Sequence, residues 1–188
     1  MRKVINSILI IILIFGFIMG LFYAVKRVYP VKFESNISKY SKEYNLSATL
    51  IFSVINVESG FDKNAVSSAG AKGLMQLKDS TAIELANKLG IENYKKDDIF
   101  NEDINILFGS FYLRYLLDYY DNNLDLALCA YNAGMGTVNN WLENDEFFGN
   151  GQLKLVPYKE TQNYLTKVKN GEKIYRYLYG ISWFLKYF

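Results

Sequence analysis

A run of apolar residues at the N-terminus constrains this chain more than any other feature. Residues 4–25 are almost wholly hydrophobic, broken by Asn6 and Ser7, and from residue 8 to residue 25 the sole polar side-chain group is the Tyr23 hydroxyl. Arg2 and Lys3 precede the run, and Lys26 and Arg27 close it. A helix of roughly 20 residues crosses the ~30 Å hydrocarbon layer of a bilayer. Backbone polar groups in lipid must be satisfied inside the segment, so the run is expected to be a single transmembrane helix. A cleaved secretory signal is the rival reading. Its apolar region is shorter, roughly 7–15 residues, and ends at a small-x-small site. Neither trait is met here, which favours a retained anchor. Basic pairs at both ends leave orientation open by charge alone. The small N-terminal tail and large C-terminal body favour a cell-membrane protein with its body on the extracytoplasmic face. The expected organisation is an anchor over residues 1–28 and one domain over residues 29–188.

The chemistry open to that domain is narrowed by what the chain lacks. It has no histidine, which excludes His-based triads, His-ligated zinc and imidazole acid/base catalysis. Cys129 is the single cysteine, too few for an internal disulfide or a metal site. No metal and no cofactor is expected. The net charge is +2 with no dense basic block, which argues against a nucleic-acid partner. Carboxylates, amides, hydroxyls and phenols remain. The sixteen tyrosines suit sugar binding, although codon bias explains them equally well.

Beyond a short link at residues 29–32, the pattern is helical throughout, with two prolines, Pro30 and Pro157, and no alternating strand-like run of useful length. Helices are expected over residues 36–44, from Ser47 as N-cap to a stop at Gly60, from Ser80 as N-cap through residue 89, over 102–120, over 124–132, and from the Gly134/Gly136 break to about residue 142. Residues 62–73 and 144–156 read as loops. Pro157 suits the first turn of a further helix, and residues 173–188 read as an aromatic helix lying on the domain or on a membrane surface. The fold class is all-α, with many short helices and functional loops around a cleft.

Four segments carry candidate chemistry: Glu58-Ser59-Gly60, Gly73-Leu74-Met75-Gln76, Ala130-Tyr131-Asn132-Ala133-Gly134 and Pro157-Tyr158-Lys159-Glu160-Thr161. Each alone is unremarkable, since a glutamate at a helix end is usually a solvated charge and a loop glutamine usually bonds backbone. Together, in this order and spacing, they resemble the soluble lytic transglycosylase catalytic domain, a lysozyme-like family that includes relatives of goose-type lysozyme. The resemblance runs over about residues 40–168 and extends to Asn64-Ala65-Val66-Ser67, to the helix from Asn105 to Leu113, and to Tyr164 at the end of the last motif. Two departures stand out. Lys63 replaces a usual proline after the acid motif, and Lys78-Asp79 replaces a common Met-Pro pair after the motif glutamine. Lys78 is open to two readings, a solvated lysine or a cation facing a carboxylate of the substrate.

The resemblance implies a lysozyme-like, two-lobed helical domain with a substrate cleft that cuts the glycan strands of peptidoglycan, with Glu58 as the catalytic acid/base. Independently of it, Glu58 follows an apolar helix face and sits at a helix C-terminus, and both features favour the neutral acid. The resemblance places Ser67 and Gln76 on the N-acetylated sugars beside the scissile bond. It puts Tyr131 against Glu58 or the N-acetyl group, and Asn132 in the same motif. It adds Ser59, Met75 and Glu160 to the substrate-binding set. It implies a lytic transglycosylase, in which the muramoyl sugar's own C6 hydroxyl is the nucleophile and no second carboxylate is needed. The alternatives are a lysozyme-type hydrolase on the same scaffold and a catalytically inactive wall-binding domain. Oligomeric state is not readable.

Overall fold

The computed structural model describes residues 2–149 and 151–187, with side chains described over 5–149 and 151–179. Two compact units are present, residues 1–31 and residues 32–188. The first holds helix α1 (Arg2–Val28), whose stretch Ile5–Val28 is long and apolar enough to cross a membrane. Its large side chains are exposed, among them Leu13, Phe15 and Phe17. Apolar surface of that extent is costly in water and neutral in lipid.

The second unit holds α2 (Glu34–Glu43), α3 (Ala48–Ser59), α4 (Asp79–Lys88), α5 (Glu102–Tyr119), α6 (Leu124–Ala133), α7 (Met135–Leu142) and α8 (Lys159–Tyr187). A short 3-10 helix, Lys96–Phe100, leads into α5. A two-stranded antiparallel hairpin, β1 (Phe148–Gly149) with β2 (Gln152–Leu153), lies inside the expected 144–156 loop. α8 is one continuous helix where a separate C-terminal helix was expected, and it begins after Pro157 rather than on it. How residues 180–188 pack lies outside the described side chains.

Helix ends follow local chemistry in part. Asn101 Oδ1 accepts from the Asp103 and Ile104 amides, and Asn123 Oδ1 accepts from Leu126, so α5 and α6 are capped by side chains. Gly60 ends α3 in the left-handed conformation, φ 58°, which glycine adopts without a Cβ penalty. Two expected caps do not operate. Ser47 stands at the start of α3, but its hydroxyl pairs with Thr49 Oγ1 at 2.6 Å. Lys78, not Ser80, precedes α4, and no side chain caps that helix.

The apolar residues fill two regions. One lies under α4, where Leu77, Leu85, Ala86, Ile99 and Phe108 are buried together. The other lies where α3 packs against α8. There Ile51, Val54, Ile55, Val168 and Tyr175 are fully buried, Phe52 stacks on Tyr175 with centroids 5.4 Å apart, and Ser53 Oγ donates to the Val168 carbonyl at 2.7 Å. This contact brings the N-terminal turns of α8 beside the C-terminal turn of α3.

Between α3 and α4 the chain folds back on itself. Val66 bridges Lys72, and Lys72 in turn bridges Leu77. Asn105, buried on α5, locks this segment. Its side-chain oxygen accepts from the Met75 amide at 2.7 Å, and its Nδ2 donates to the carbonyls of Ile99 at 2.9 Å and Lys72 at 3.2 Å. Gly73 sits against that amide at φ 75°, and a Cβ there would strike the Asn105 side chain. Gly109 likewise leaves room for the Met75 side chain, which a Cβ would hit.

Replacing Asn105 with alanine strands a buried amide N–H and two carbonyls. An unsatisfied buried group costs about 1–3 kcal/mol. The N105A protein is expected to melt roughly 5–10 °C lower than the parent in thermal unfolding. An unchanged Tm would show that the latch carries little weight.

Candidate functional site

A cleft of about 530 Å³ runs between the 67–81 segment, α5, the end of α6 and the start of α8. Glu58, Ser67, Gln76, Tyr131, Asn132 and Glu160 all line it, so six residues singled out in the sequence meet in one place. Glu58 arrives in the last turn of α3, and Glu160 in the first turn of α8. Tyr131 and Asn132 arrive at the end of α6, which Gly134 then breaks at φ 89°.

Glu58 is partly buried, and its carboxyl pKa is pushed up from the ordinary 4.5 to about 7. Loss of solvation is the main cause. The Tyr164 hydroxyl opposes it, and the like charge of Glu160 adds to it. At neutral pH this acid is therefore present in both protonation states, the condition that suits a group that must give and take a proton.

Tyr164 closes the last motif, yet no role was read for it in the sequence. It is 6% exposed, and its hydroxyl has no partner at ordinary hydrogen-bond distance. The Glu58 carboxyl lies near enough for the phenol dipole to favour the carboxylate and to raise the tyrosine's own pKa. A signal existed in the sequence, because residue 164 follows Glu160 by one helical turn and shares its face.

The other side chains divide by what they have left to offer. The Gln76 amide nitrogen donates to the Gly73 carbonyl at 2.9 Å and to the Ala65 carbonyl at 3.2 Å. These bonds hold the residue in the left-handed region, φ 49°, and leave its side-chain oxygen to the cleft. Ser67 Oγ accepts from the Ala71 amide at 3.0 Å, so its proton stays available. Asn132 accepts from Thr161 Oγ1 at 2.8 Å and keeps its NH₂ donors. Tyr131 donates to the Met75 carbonyl at 2.9 Å, which ties its phenol to the cleft loop, and it lies near enough to Glu58 that, after burial, the carboxyl's charge helps push the phenol's pKa up.

Two residues read from the sequence as substrate contacts lie elsewhere. Met75 is fully buried, so its side chain packs against Gly109 and cannot meet a ligand. Ser59 does not line the cleft, because its hydroxyl is directed at the Leu74 carbonyl at 2.8 Å and the Ile55 carbonyl at 3.1 Å. Both act on the shape of the loop. No group of His, Cys, Asp or Glu suited to a metal ion occurs among the described residues.

Residues 35–153 match the transglycosylase SLT domain family. The chain belongs to that family. Among its relatives, the soluble lytic murein transglycosylase of Salmonella typhimurium is 28% identical over 155 residues, covering 81% of this chain and 24% of the relative. The membrane-bound lytic murein transglycosylase C of Glaesserella parasuis is 28% identical over 162 residues, covering 74% of this chain and 44% of the relative. The X-ray structure of the lytic transglycosylase Slt of Pseudomonas aeruginosa, an inactive glutamate-to-glutamine mutant, superposes with a TM-score of 0.72 at 32% identity, covering 79% of this chain and 24% of that one. The chain thus spans about a quarter of the length of its soluble relatives. The SLT domain here has the family's all-α, lysozyme-like fold.

The raised pKa of Glu58 sets a pH dependence of stability. Below about 4.5 the carboxyl is protonated in both the folded and the unfolded chain, and it contributes nothing. Between 4.5 and 7 the unfolded chain ionises first, so this group destabilises the fold increasingly as pH rises, and fully above about 7. Glu58→Gln removes that cost. The variant is expected to be about 1–3 kcal/mol more stable than the parent at pH 8, and level with it near pH 4. Chemical unfolding at both pH values measures this, and equal stability at pH 8 would refute the assigned shift.

Proposed function

We propose that this protein is a peptidoglycan lytic transglycosylase. It would cleave the β-1,4 bond from N-acetylmuramic acid to N-acetylglucosamine and leave 1,6-anhydro-muramoyl ends. The observation that carries the reading is Glu58 itself, a desolvated carboxyl with a pKa near 7 lining an open cleft in an SLT domain.

In the forward step, protonated Glu58 gives its proton to the bridging oxygen as the bond from the muramoyl anomeric carbon to that oxygen breaks. The resulting carboxylate is what the Tyr164 phenol favours. It then takes the proton of the muramoyl C6 hydroxyl as that oxygen bonds the anomeric carbon. Glu58 ends protonated, and no water is consumed. An intramolecular hydroxyl has a high effective concentration, so it competes well with water. Gln76 through its side-chain oxygen, Ser67 through its hydroxyl proton and Asn132 through its amide donors complement the N-acetyl and hydroxyl groups of the sugars. Burial, with the like charge of Glu160 adding to it, favours the protonated form of Glu58 that starts the reaction.

The same residue supports a second reading. Glu160 is another carboxylate lining the cleft, and a pair of carboxylates can run a hydrolysis. Products separate the two. Purified cell wall digested with the full chain in detergent is expected to release anhydro-muramoyl fragments, seen by mass as the loss of one water relative to reducing ends. Glu58→Gln is expected to lower the rate roughly 10²–10⁴-fold. Reducing ends in place of anhydro ends would establish the hydrolase, and an unimpaired E58Q protein would remove Glu58 from the mechanism.

The two-part organisation, an anchor over residues 1–28 and a catalytic domain over 29–188, belongs to the same proposal. It is supported by the exposed apolar face of α1 and by the existence of membrane-bound relatives. In it α1 crosses the cell membrane once and the SLT domain faces outward, where glycan lies. The protein is expected to stay with membranes through an alkaline wash, and residues 32–188 to be digested by protease added outside intact spheroplasts. Release by the wash, or full protection from protease, would overturn it.

A further inference from the structure

Among the described residues, Lys78 is the one cationic side chain lining the cleft, against two carboxylates, Glu58 and Glu160. It is exposed and ion-pairs with no described residue. Its neighbour Asp79 is the obvious counter-charge but is already engaged, by Lys72 Nζ at 2.8 Å and by Lys96 Nζ at 3.9 Å. Two lysines thus share one carboxylate, and Lys78, which lines the cleft, is left without an ion pair among the described residues. Glu160, in the first turn of α8, lines the same cleft and adds negative charge around Glu58.

We propose that Lys78 is a specificity-determining residue that pairs with a carboxylate borne by the lactyl ether of a muramoyl residue. This rests on the peptidoglycan reading above. The carboxylate has two sources with one chemistry. It is the lactyl carboxylate itself where the stem peptide has been removed, or the first free carboxylate of the stem where the peptide remains. N-acetylglucosamine carries no such group, so the charge recurs on every second sugar. A strand one sugar out of register would bring no carboxylate to Lys78. A strand turned over in the cleft would carry its carboxylates away from Lys78, and Glu160, which lines the same cleft, repels any that come near it. Lys78 therefore selects both the direction and the register of the strand, and with them which of the two alternating β-1,4 bonds lies over Glu58. Neutral chitin-type oligomers have no such guide.

The test measures binding to the full chain in detergent, with Glu58→Gln present throughout so that ligand survives. Three oligomers of equal length are compared: a neutral N-acetylglucosamine oligomer, a glycan with free lactyl carboxylates, and the same glycan with stem peptides. Adding Lys78→Gln is expected to weaken binding of one or both anionic oligomers about three- to tenfold, with the neutral oligomer unchanged. Lys78→Arg is expected to keep most of the affinity, and raised salt to shrink the difference between lysine and glutamine. The oligomer that loses affinity identifies the source of the carboxylate. Equal weakening of all three, or of none, overturns the role of Lys78 while leaving the peptidoglycan reading in place. Failure of the E58Q parent to bind either muramoyl oligomer overturns both.

Discussion

The side-chain amide of Asn105 holds the wall of the cleft in place. An asparagine buried to 1% exposure must satisfy its polar atoms inside the protein, and this one does so on the backbone of two other segments. The residues around it complete the same task. Ser59 binds the Leu74 carbonyl, Tyr131 binds the Met75 carbonyl, and Gln76 turns its own amide back onto Gly73. Three distant stretches of chain, from α3, α5 and α6, converge on residues 73–76 and leave that loop little freedom. Much of the polar chemistry that looks like ligand binding in the sequence is spent on fixing one loop. Fixing it is what leaves the Gln76 side-chain oxygen facing a ligand, in a backbone conformation that glutamine does not adopt cheaply.

Against this rigid wall, the acid is held at a cost. Burial and the negative charge of Glu160 favour the neutral carboxyl of Glu58, and the Tyr164 phenol favours the ion. Burial outweighs the phenol, and the pKa comes to rest near neutral. Strengthening the phenol contact would lower the pKa and leave too little acid. Deeper burial would raise it and leave too little base. The packing of α3 on α8 holds the three groups in this balance, because α3 carries Glu58 and α8 carries both Glu160 and Tyr164. The buried Ser53–Val168 bond and the Phe52–Tyr175 stack, remote from the cleft, therefore bear on the electrostatics within it.

What could be read in advance followed the range of the interaction. Helices with an apolar stripe and a local stop were legible, as at Gly60, and so was the apolar span of α1. The glutamate, the loop glutamine and the end of α6 were legible as one site through the resemblance that their order and spacing bear to the family. Where two local options compete, the sequence was ambiguous. Ser47 can cap a helix or pair with Thr49, and it pairs. Pro157 is compatible with a first turn, yet α8 starts at Lys159. Features set by contacts across the chain were hidden. The hairpin Phe148–Gly149 with Gln152–Leu153 is too short to show an alternating pattern, and the Val66–Lys72–Leu77 bridges join residues with no strand character.

Met75 and Tyr164 show the deeper reason that site residues are harder to read than site location. Both lie in motifs, and a motif marks residues that constrain one another without saying which of them reach the ligand. Met75 contributes its backbone, through an amide held by Asn105 and a carbonyl held by Tyr131, while its side chain fills the gap left at Gly109. Tyr164 contributes a hydroxyl that the fold has buried and left without a close partner except the acid beside it. A buried polar group lacking a bond costs stability, and the fold accepts that cost where it changes the protonation of Glu58. The distinction between a residue that shapes the loop and one that acts on the acid lies in where each polar atom is directed, which only the packed structure decides.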